Sequence, residues 1–214
     1  MNYLIGELKW YFTGSNKLSD IIEYSSFWKH IANKDGTCNS AYGYRLFKDL
    51  NEHKISQWEW AYNSLLKDKD TRQAIMYIGQ PKFQYESNKD LPCTSFLQFF
   101  IRKNKLHLIV NMRSNDLIKG TTFDIPFFML LLQNMYLLLK EKYTELKLGY
   151  YYHNAMSLHI YEPDFDLVED MLKHDFKYCK FQLNQPIINK HGEYDSKVLL
   201  ELIEGLKEYE KTCC

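Results

Sequence analysis

Cys93 follows a proline in the string LPCTSFLQFF, at the mouth of a segment that reads as a strand. A compact Arg-Ser-Asn-Asp run begins 20 residues later at Arg113. A thiolate near a guanidinium has a lowered pKa and a larger reactive fraction, so these two segments together could present a nucleophile. Taken alone, a cysteine is more often a small buried hydrophobe, and only its setting raises Cys93 above that. His159 and Tyr161 lie two residues apart and so share one face of a short extended segment. A histidine in that position would by itself more often be structural than a ligand contact.

The elements that must position these residues can be read from periodicity. Residues 6–12 and 18–24 read as short helices, followed by a loop over 33–40 rich in Asn, Lys and Gly. Across 56–67, Trp58, Ala61, Tyr62 and Leu65 recur at three- and four-residue steps, a helical pattern. Residues 72–78 and 95–102 read as strands. LHLIVNM over 106–112 is the clearest strand, being apolar, partly β-branched and preceded by the turn-like KNK. The longest helix is expected over 127–146, starting after Pro126, where a missing N–H costs nothing. A short strand over 157–161, a helix over 164–174, a strand over 178–183 and an amphipathic helix over 196–209 follow. Strands and helices interleave without a strict βαβ rhythm, which favours an α+β sheet with helices on one side, in a single domain spanning 1–214.

Composition narrows the function classes. Of 214 residues, 45% are hydrophobic and 25% charged, as in a folded globular chain with one sizeable core. Lys+Arg and Asp+Glu both number 27, and this balance argues against non-specific nucleic-acid binding, which needs a basic excess. A small anionic ligand remains compatible with it. The 17 Tyr and 13 Phe serve packing first and can also wall a planar ligand. The five cysteines (Cys38, Cys93, Cys179, Cys213, Cys214) are odd in number and contain no Cys-x-x-Cys pair, so free thiols in a reducing cytoplasm and no metal site are expected. The start, MNYLIGELKWYF, lacks the pattern of a secretory signal. The apolar run 126–139 is interrupted by Gln133 and Asn134 and is too short to span a bilayer.

Six ordered segments carry a more specific signal: ELKWYFTG, FWKHIANKDGTCNSAYGY, KDKDTRQAIMYI, LPCTSFLQFF, NMRSNDLIKGTTFD and SLHIY. In order and spacing they resemble the active-site segments of the thymidylate synthase family, from about residue 6 to about residue 172. The resemblance implies a mixed, twisted sheet covered by helices, with one sheet face forming a homodimer interface. It implies a pyrimidine nucleoside monophosphate as substrate and 5,10-methylenetetrahydrofolate as co-substrate, with no metal. Cys93 would add to ring position 6, and position 5 would then take the one-carbon unit. Glu7 matches the family's general acid/base. Arg113 and Ser114 match its phosphate ligands, and Arg72 a phosphate arginine lent by the partner subunit. His159 and Tyr161 match the pair that bonds the sugar hydroxyl. Asp116 matches the acid near folate and nucleotide ring, while Trp28 and Tyr42 match residues lining the one-carbon site.

Several positions depart from the family pattern. Thymidylate synthases carry Asn where this chain has Asp124. Uracil presents a donor at ring nitrogen 3 and an acceptor at position 4, which an amide complements. Cytosine reverses the order, and a carboxyl group suits it. An ionised Asp facing uracil would set acceptor against acceptor at a cost of roughly 1–3 kcal/mol. Thr94 and Met112, where His and Gln are usual, together with Asp124, resemble the branch of the family that hydroxymethylates deoxycytidylate and quenches its intermediate with water. The alternatives are that Asp124 is a neutral variant in a uridylate enzyme, that it caps the following helix, or that the chain is a non-catalytic relic. Glu7 lies close to the start of the sequence, so the arginine loop that usually precedes it has no counterpart, and Gln73 stands where a second partner arginine is usual. The ending EKTCC lacks the apolar closing tail of thymidylate synthases. Arg72 and Arg113 are then the two arginines expected at the phosphate, and ribose versus deoxyribose stays open.

Overall fold

The computed structural model describes residues 2–174 and 182–213. Its centre is a four-stranded sheet in the order β1-β2-β3-β5, built from β1 (Ile75–Tyr77), β2 (Thr94–Arg102), β3 (Lys105–Met112) and β5 (Lys147–Ala155). β1, β2 and β3 pair antiparallel and β5 joins β3 in parallel, so the sheet is mixed. The β2–β3 hairpin turns on Lys103 and Asn104, both with positive φ (51° and 55°). Such a two-residue turn matches the twist of the flanking strands, which is why the KNK string ends one strand and starts the next. A second pair, β4 (Asn115–Asp116) and β6 (Leu158–His159), lies beyond the ends of β3 and β5.

Alternation decides which sheet face is covered. Leu97, Phe99, Ile101, Leu106, Leu108, Val110 and Met112 point to one side and are almost fully buried. They lie under the helices, chief among them α5 (Thr121–Lys140), which contributes Phe127, Phe128, Leu131, Met135 and Leu139 to the same core. α5 is apolar enough by composition to cross a membrane, yet most of its surface is buried inside this fold. Its two amides are structural: Asn134 Oδ1 accepts from the Ile187 and Ile188 N–H groups (2.6 and 2.9 Å), and Gln133 accepts from Leu183 N–H (2.8 Å). They tie down chain that would otherwise leave buried donors unpaired.

α1 (Asn2–Thr13) and α3 (Tyr42–Phe47) meet closely at Gly43, where a Cβ would collide with the Tyr11 carbonyl. That approach stacks the Tyr11 and Tyr42 rings, 5.0 Å between centroids and 14° apart. α2 (Phe27–Ile31) sets Trp28 edge-on against Trp10 at 4.8 Å. α4 (Gln57–Lys67) starts at Ser56, whose hydroxyl accepts from Glu59 N–H at 3.1 Å, an N-cap. α6 (Phe165–Met171) and α7 (Ser196–Cys213) complete the set, α7 burying Val198, Leu199, Leu202, Ile203 and Leu206 along one stripe.

The α+β reading holds, with several elements displaced. The helix expected from 127 begins at Thr121 and ends at Lys140, with Pro126 inside it, because only the carbonyl of Thr122 loses a bond there. Residues 147–155, to which periodicity assigns no element, form β5. In KLGYYYHNA one face holds Tyr150 and Tyr152 (59% and 45% exposed), so no apolar alternation marks it as a strand. The 18–24 helix is a single 3-10 turn over Leu18–Asp20, and the 72–78 strand shortens to Ile75–Tyr77. The 157–161 strand shortens to Leu158–His159, and the 164–174 helix to Phe165–Met171. Of the strand expected over 178–183, the residues to 181 lie outside the described residues, and 182 and 183 are not in a strand. Cys179 and Cys214 also lie outside them, while Cys38 and Cys93 are free thiols.

Candidate active site

Pairing of Thr94 with Met112 brings Cys93, just ahead of β2, beside Arg113, just past β3. Arg113 N–H donates to the Cys93 carbonyl at 2.9 Å, and Nη2 stands 3.8 Å from Cys93 Sγ. The guanidinium also grips the loop, with Nε on Pro92 O (3.1 Å) and Nη2 on Leu91 O (2.7 Å). The expected lowering of the thiol pKa is not what this geometry produces. Burial pushes the Cys93 thiol up, Arg113 opposes it, and Asp124 and Asp90 add to the rise. A half-buried sulfur loses more from desolvation than one guanidinium, already shared with two carbonyls, returns. The cysteine loop is anchored by Asp90, which accepts from Ser40 N–H (2.9 Å) and from the Ser40 hydroxyl.

Glu7 lies on the inner face of α1, with Tyr3 and Tyr11 one turn to either side. Both phenols donate to Glu7 Oε1, at 2.7 and 3.2 Å, and Trp28 Nε1–H donates to the Tyr3 oxygen at 3.1 Å. Burial pushes Glu7 up to about 7, against those two hydrogen bonds. A carboxyl near neutrality can both take and give a proton, as a general acid/base must. Tyr42, stacked on Tyr11, has its pKa raised by burial and then by the charges of Asp124 and Cys93, so its hydroxyl belongs to the same cluster. Thr94 Oγ1 is buried and makes no hydrogen bond of normal geometry, although it is near enough to Tyr42 to oppose that rise.

Asp124 sits in the first turn of α5 and is 8% exposed. It does not cap the helix: the N-cap is Gly120, and Asp124 Oδ2 accepts from Asn115 Nδ2 at 2.8 Å. Burial, with the Glu7 charge, pushes Asp124 up to about 8, against the Asn115 bond. Two carboxyls in one dry pocket cannot both ionise cheaply, so burial and mutual repulsion favour a retained proton on the Glu7–Asp124 pair.

The remaining expected residues line a more open end. The β4–β6 pair sets Asp116 opposite His159. Asp116 Oδ1 accepts from the Ile118 and Lys119 N–H groups (2.7 and 2.8 Å), and Ser114 is half-buried beside it. The His159 and Tyr161 rings meet edge to face at 5.0 Å, with Tyr161 58% exposed. Arg72 is not brought to this group. It precedes β1, whose register with β2 places it near residue 101. That is about 25 Å along the strand from Cys93, so within one chain Arg72 stands apart from the other expected residues.

Periodicity and motif left other contributors unmarked. Tyr3, Tyr11 and Asn115 touch Glu7 or Asp124 directly. On β5, Tyr151 OH lies 2.6 Å from His153 Nδ1, and Tyr151 feels the Asp124 charge. Asn115 was legible in RSND, but only contact with Asp124 gives it a role. Among the described residues no group of three or more His, Cys, Asp or Glu side chains is disposed to hold a metal. An open concavity of about 710 Å³ lies elsewhere, at the β1 edge, lined by Asp49, Gln57, Trp60, Tyr77 and Lys82.

A cysteine beside an arginine and two buried carboxyls lifted toward neutrality are groups able to serve covalent and acid/base chemistry. The pattern describing the thymidylate synthase family matches residues 1–207, and the chain belongs to that family. It is 32% identical over 178 residues to the deoxycytidylate 5-hydroxymethyltransferase of Enterobacteria phage T4, covering 80% of this chain and 71% of that one. It is 31% identical over 183 residues to the deoxyuridylate hydroxymethyltransferase of Bacillus phage SP01, covering 80% and 46%. Thermostable thymidylate synthase A from Bacillus subtilis has the same fold, with a TM-score of 0.70, 25% identity, and coverage of 89% of this chain and 68% of that one.

Proposed function

We propose that this protein is a folate-dependent one-carbon transferase that converts a cytidine monophosphate, dCMP or CMP, to its 5-hydroxymethyl derivative. The observation that carries the reading is the Asp124–Asn115 pair: a buried carboxyl lifted toward neutrality by burial and held by an amide, in the pocket that contains Glu7. A neutral carboxyl can donate to ring nitrogen 3 of cytosine and accept from its amino group. The 32% identity to the phage T4 deoxycytidylate enzyme supports the same base.

In this reading Cys93 adds to ring position 6, which makes position 5 a carbon nucleophile toward the one-carbon unit of 5,10-methylenetetrahydrofolate. Loss of the folate and of the position-5 proton leaves an exocyclic methylene. Water attacks that carbon, the double bond shifts back into the ring, and the Cys93 thiolate departs. Glu7 takes the proton released by the water. Because the resting thiol is raised by burial, Cys93 ionises as substrate binds, with Arg113 at 3.8 Å as the nearby positive charge. Arg113 and Ser114 hold the phosphate, His159 and Tyr161 the sugar, and Trp28 and Asp116 flank the folate. The partner subunit of a homodimer supplies Arg72, consistent with its remoteness from Cys93 within one chain and with the uncovered Tyr150–Tyr152 sheet face. The reaction belongs in a reducing cytoplasm, where Cys93 stays a thiol.

A uridylate substrate is the second reading, favoured by the 31% identity to the phage SP01 enzyme. Mass spectrometry of products after incubation with methylenetetrahydrofolate and dCMP, CMP or dUMP separates the two. Gain of CH₂O on a cytidine nucleotide alone is expected, and Asp124→Asn should move preference toward uracil by about 10- to 100-fold. A methylated or hydroxymethylated uridylate as the main product would overturn the cytidine reading.

A further inference from the structure

A neutral carboxyl is ambidextrous. With its proton on one oxygen it complements cytosine, and with the proton on the other it presents the opposite order and complements uracil. Asp124 therefore cannot discriminate on its own. We infer that Asn115 is the specificity-determining partner of Asp124: it dictates which carboxyl oxygen carries the proton, and so makes an indifferent acid into a cytosine reader. This rests on the cytidine reading above.

The geometry is well defined. Asn115 is 2% exposed on β4 and its side chain is engaged at both ends. Its Oδ1 meets the Thr121 hydroxyl, which also lies 3.1 Å from the Asp116 carbonyl. Its Nδ2 faces Asp124 Oδ2 at 2.8 Å and, with its second hydrogen, the Met112 sulfur. The reversed amide would set its oxygen against the lone pairs of that sulfur, so the NH₂ group belongs on the Asp124 side. An NH₂ group only donates. Asp124 Oδ2 must then be an acceptor, and the acid proton is left to Oδ1.

With Oδ1 toward ring nitrogen 3 and Oδ2 toward position 4, Oδ1–H and the free lone pair of Oδ2 supply the donor and the acceptor that cytosine needs, whereas the opposite placement would make the same device read uracil. To take uracil the proton would have to sit on Oδ2, pointing donor at donor toward Asn115. Discrimination is thus built as a penalty against the wrong base. Glu7, Tyr3 and Tyr11 from α1, Tyr42 from α3, Cys93 ahead of β2 and Tyr151 from β5 share the field of Asp124. None of these is shown bonded to the carboxyl, whereas Asn115 bonds one named oxygen of it.

The test is calorimetric binding of dCMP and of dUMP, without folate, to the full-length protein, Asn115→Ala and Thr121→Val. Wild type should favour dCMP, and Asn115→Ala should cut that preference about tenfold, mainly by gaining dUMP affinity. The preference should also persist to higher pH in Asn115→Ala, because the lost donor favoured the ionised acid. Thr121→Val frees the amide to turn and should cut the preference about threefold; it reads the same device if Asn115→Ala does not fold. Equal weakening of both nucleotides, or an unchanged ratio in the folded variants, would mean that Asn115 only supports the fold and would overturn the inference. A wild type that binds both bases equally would remove the cytidine reading itself, and this inference with it.

Discussion

At the ring end of the site, Glu7, Tyr42 and Asp124 are 6%, 4% and 8% exposed, and the two carboxyls are hydrogen-bonded by side chains of the same chain. At the end proposed for phosphate and sugar, Tyr161 is 58% exposed and the Arg113 fork rests on backbone carbonyls, while Arg72 lies on the surface away from it. The ring end is preorganised by burial. Its carboxyls are already poised near neutrality, and a ligand has little to reorder there. The open end has no comparable set of buried, mutually bonded side chains, and the proposed function fills it with charge from a ligand and a second chain. In the proposed function, the chemistry of the pyrimidine is then a property of one chain, and the grip on the phosphate a property of two.

That contrast can be broken at the ring end first. Cys93→Ala should lower turnover by about 10⁴-fold or more, while dCMP still binds within a few-fold of wild type by calorimetry. Loss of binding together with turnover would place the cysteine in the ligand grip instead of the chemistry. Glu7→Gln should reduce kcat by about 10²- to 10⁴-fold with little change in KM, read from initial rates across pH 5–9.

The same burial has a cost in stability. The folded protein retains protons on Glu7 up to about pH 7 and on Asp124 up to about pH 8, whereas the unfolded chain releases them near pH 4. Their contribution is fully present below about pH 4, is lost as pH rises through the folded values, and changes little beyond pH 8. Asp124→Asn should accordingly melt higher than wild type, with a gap that opens between pH 4 and pH 8, by about 2–4 °C per kcal/mol relieved. A constant gap across that range would show that the carboxyl is ionised in the folded state.

The smallest effect is expected at the open end. Arg72→Ala should raise KM about tenfold and leave kcat and Tm unchanged. Mixing Arg72→Ala chains with Cys93→Ala chains should restore activity above that of either alone, since one site of the hybrid dimer recovers both residues. No recovery, with dimers verified by light scattering, would put Arg72 outside the site.

Much of this was legible in residue order. LPC, RSND and SLHIY lie at the ends of β2, β3 and β5, and a hairpin with a two-residue turn brings the first two together as their spacing implied. The strand β3 was visible in the apolar, partly β-branched LHLIVNM, whereas β5 was not, because a strand with tyrosines on both sides carries no apolar period. Asp124 could be singled out by type, and its place just ahead of the expected helix invited a capping role that the structure, which sets it inside the first turn, assigns to no side chain.

The sequence by itself determined which donors and acceptors exist and in what order the chain delivers them, since residue type and local spacing need no fold to be defined. Only the tertiary structure decided where the protons sit. Cys93 is pushed up despite Arg113, Glu7 and Asp124 are lifted toward neutrality, and Asn115 faces one oxygen of a carboxyl nine residues away. Each of these follows from desolvation by groups brought together from α1, α3, α5 and the sheet, and exclusion of water exists only once those elements have packed.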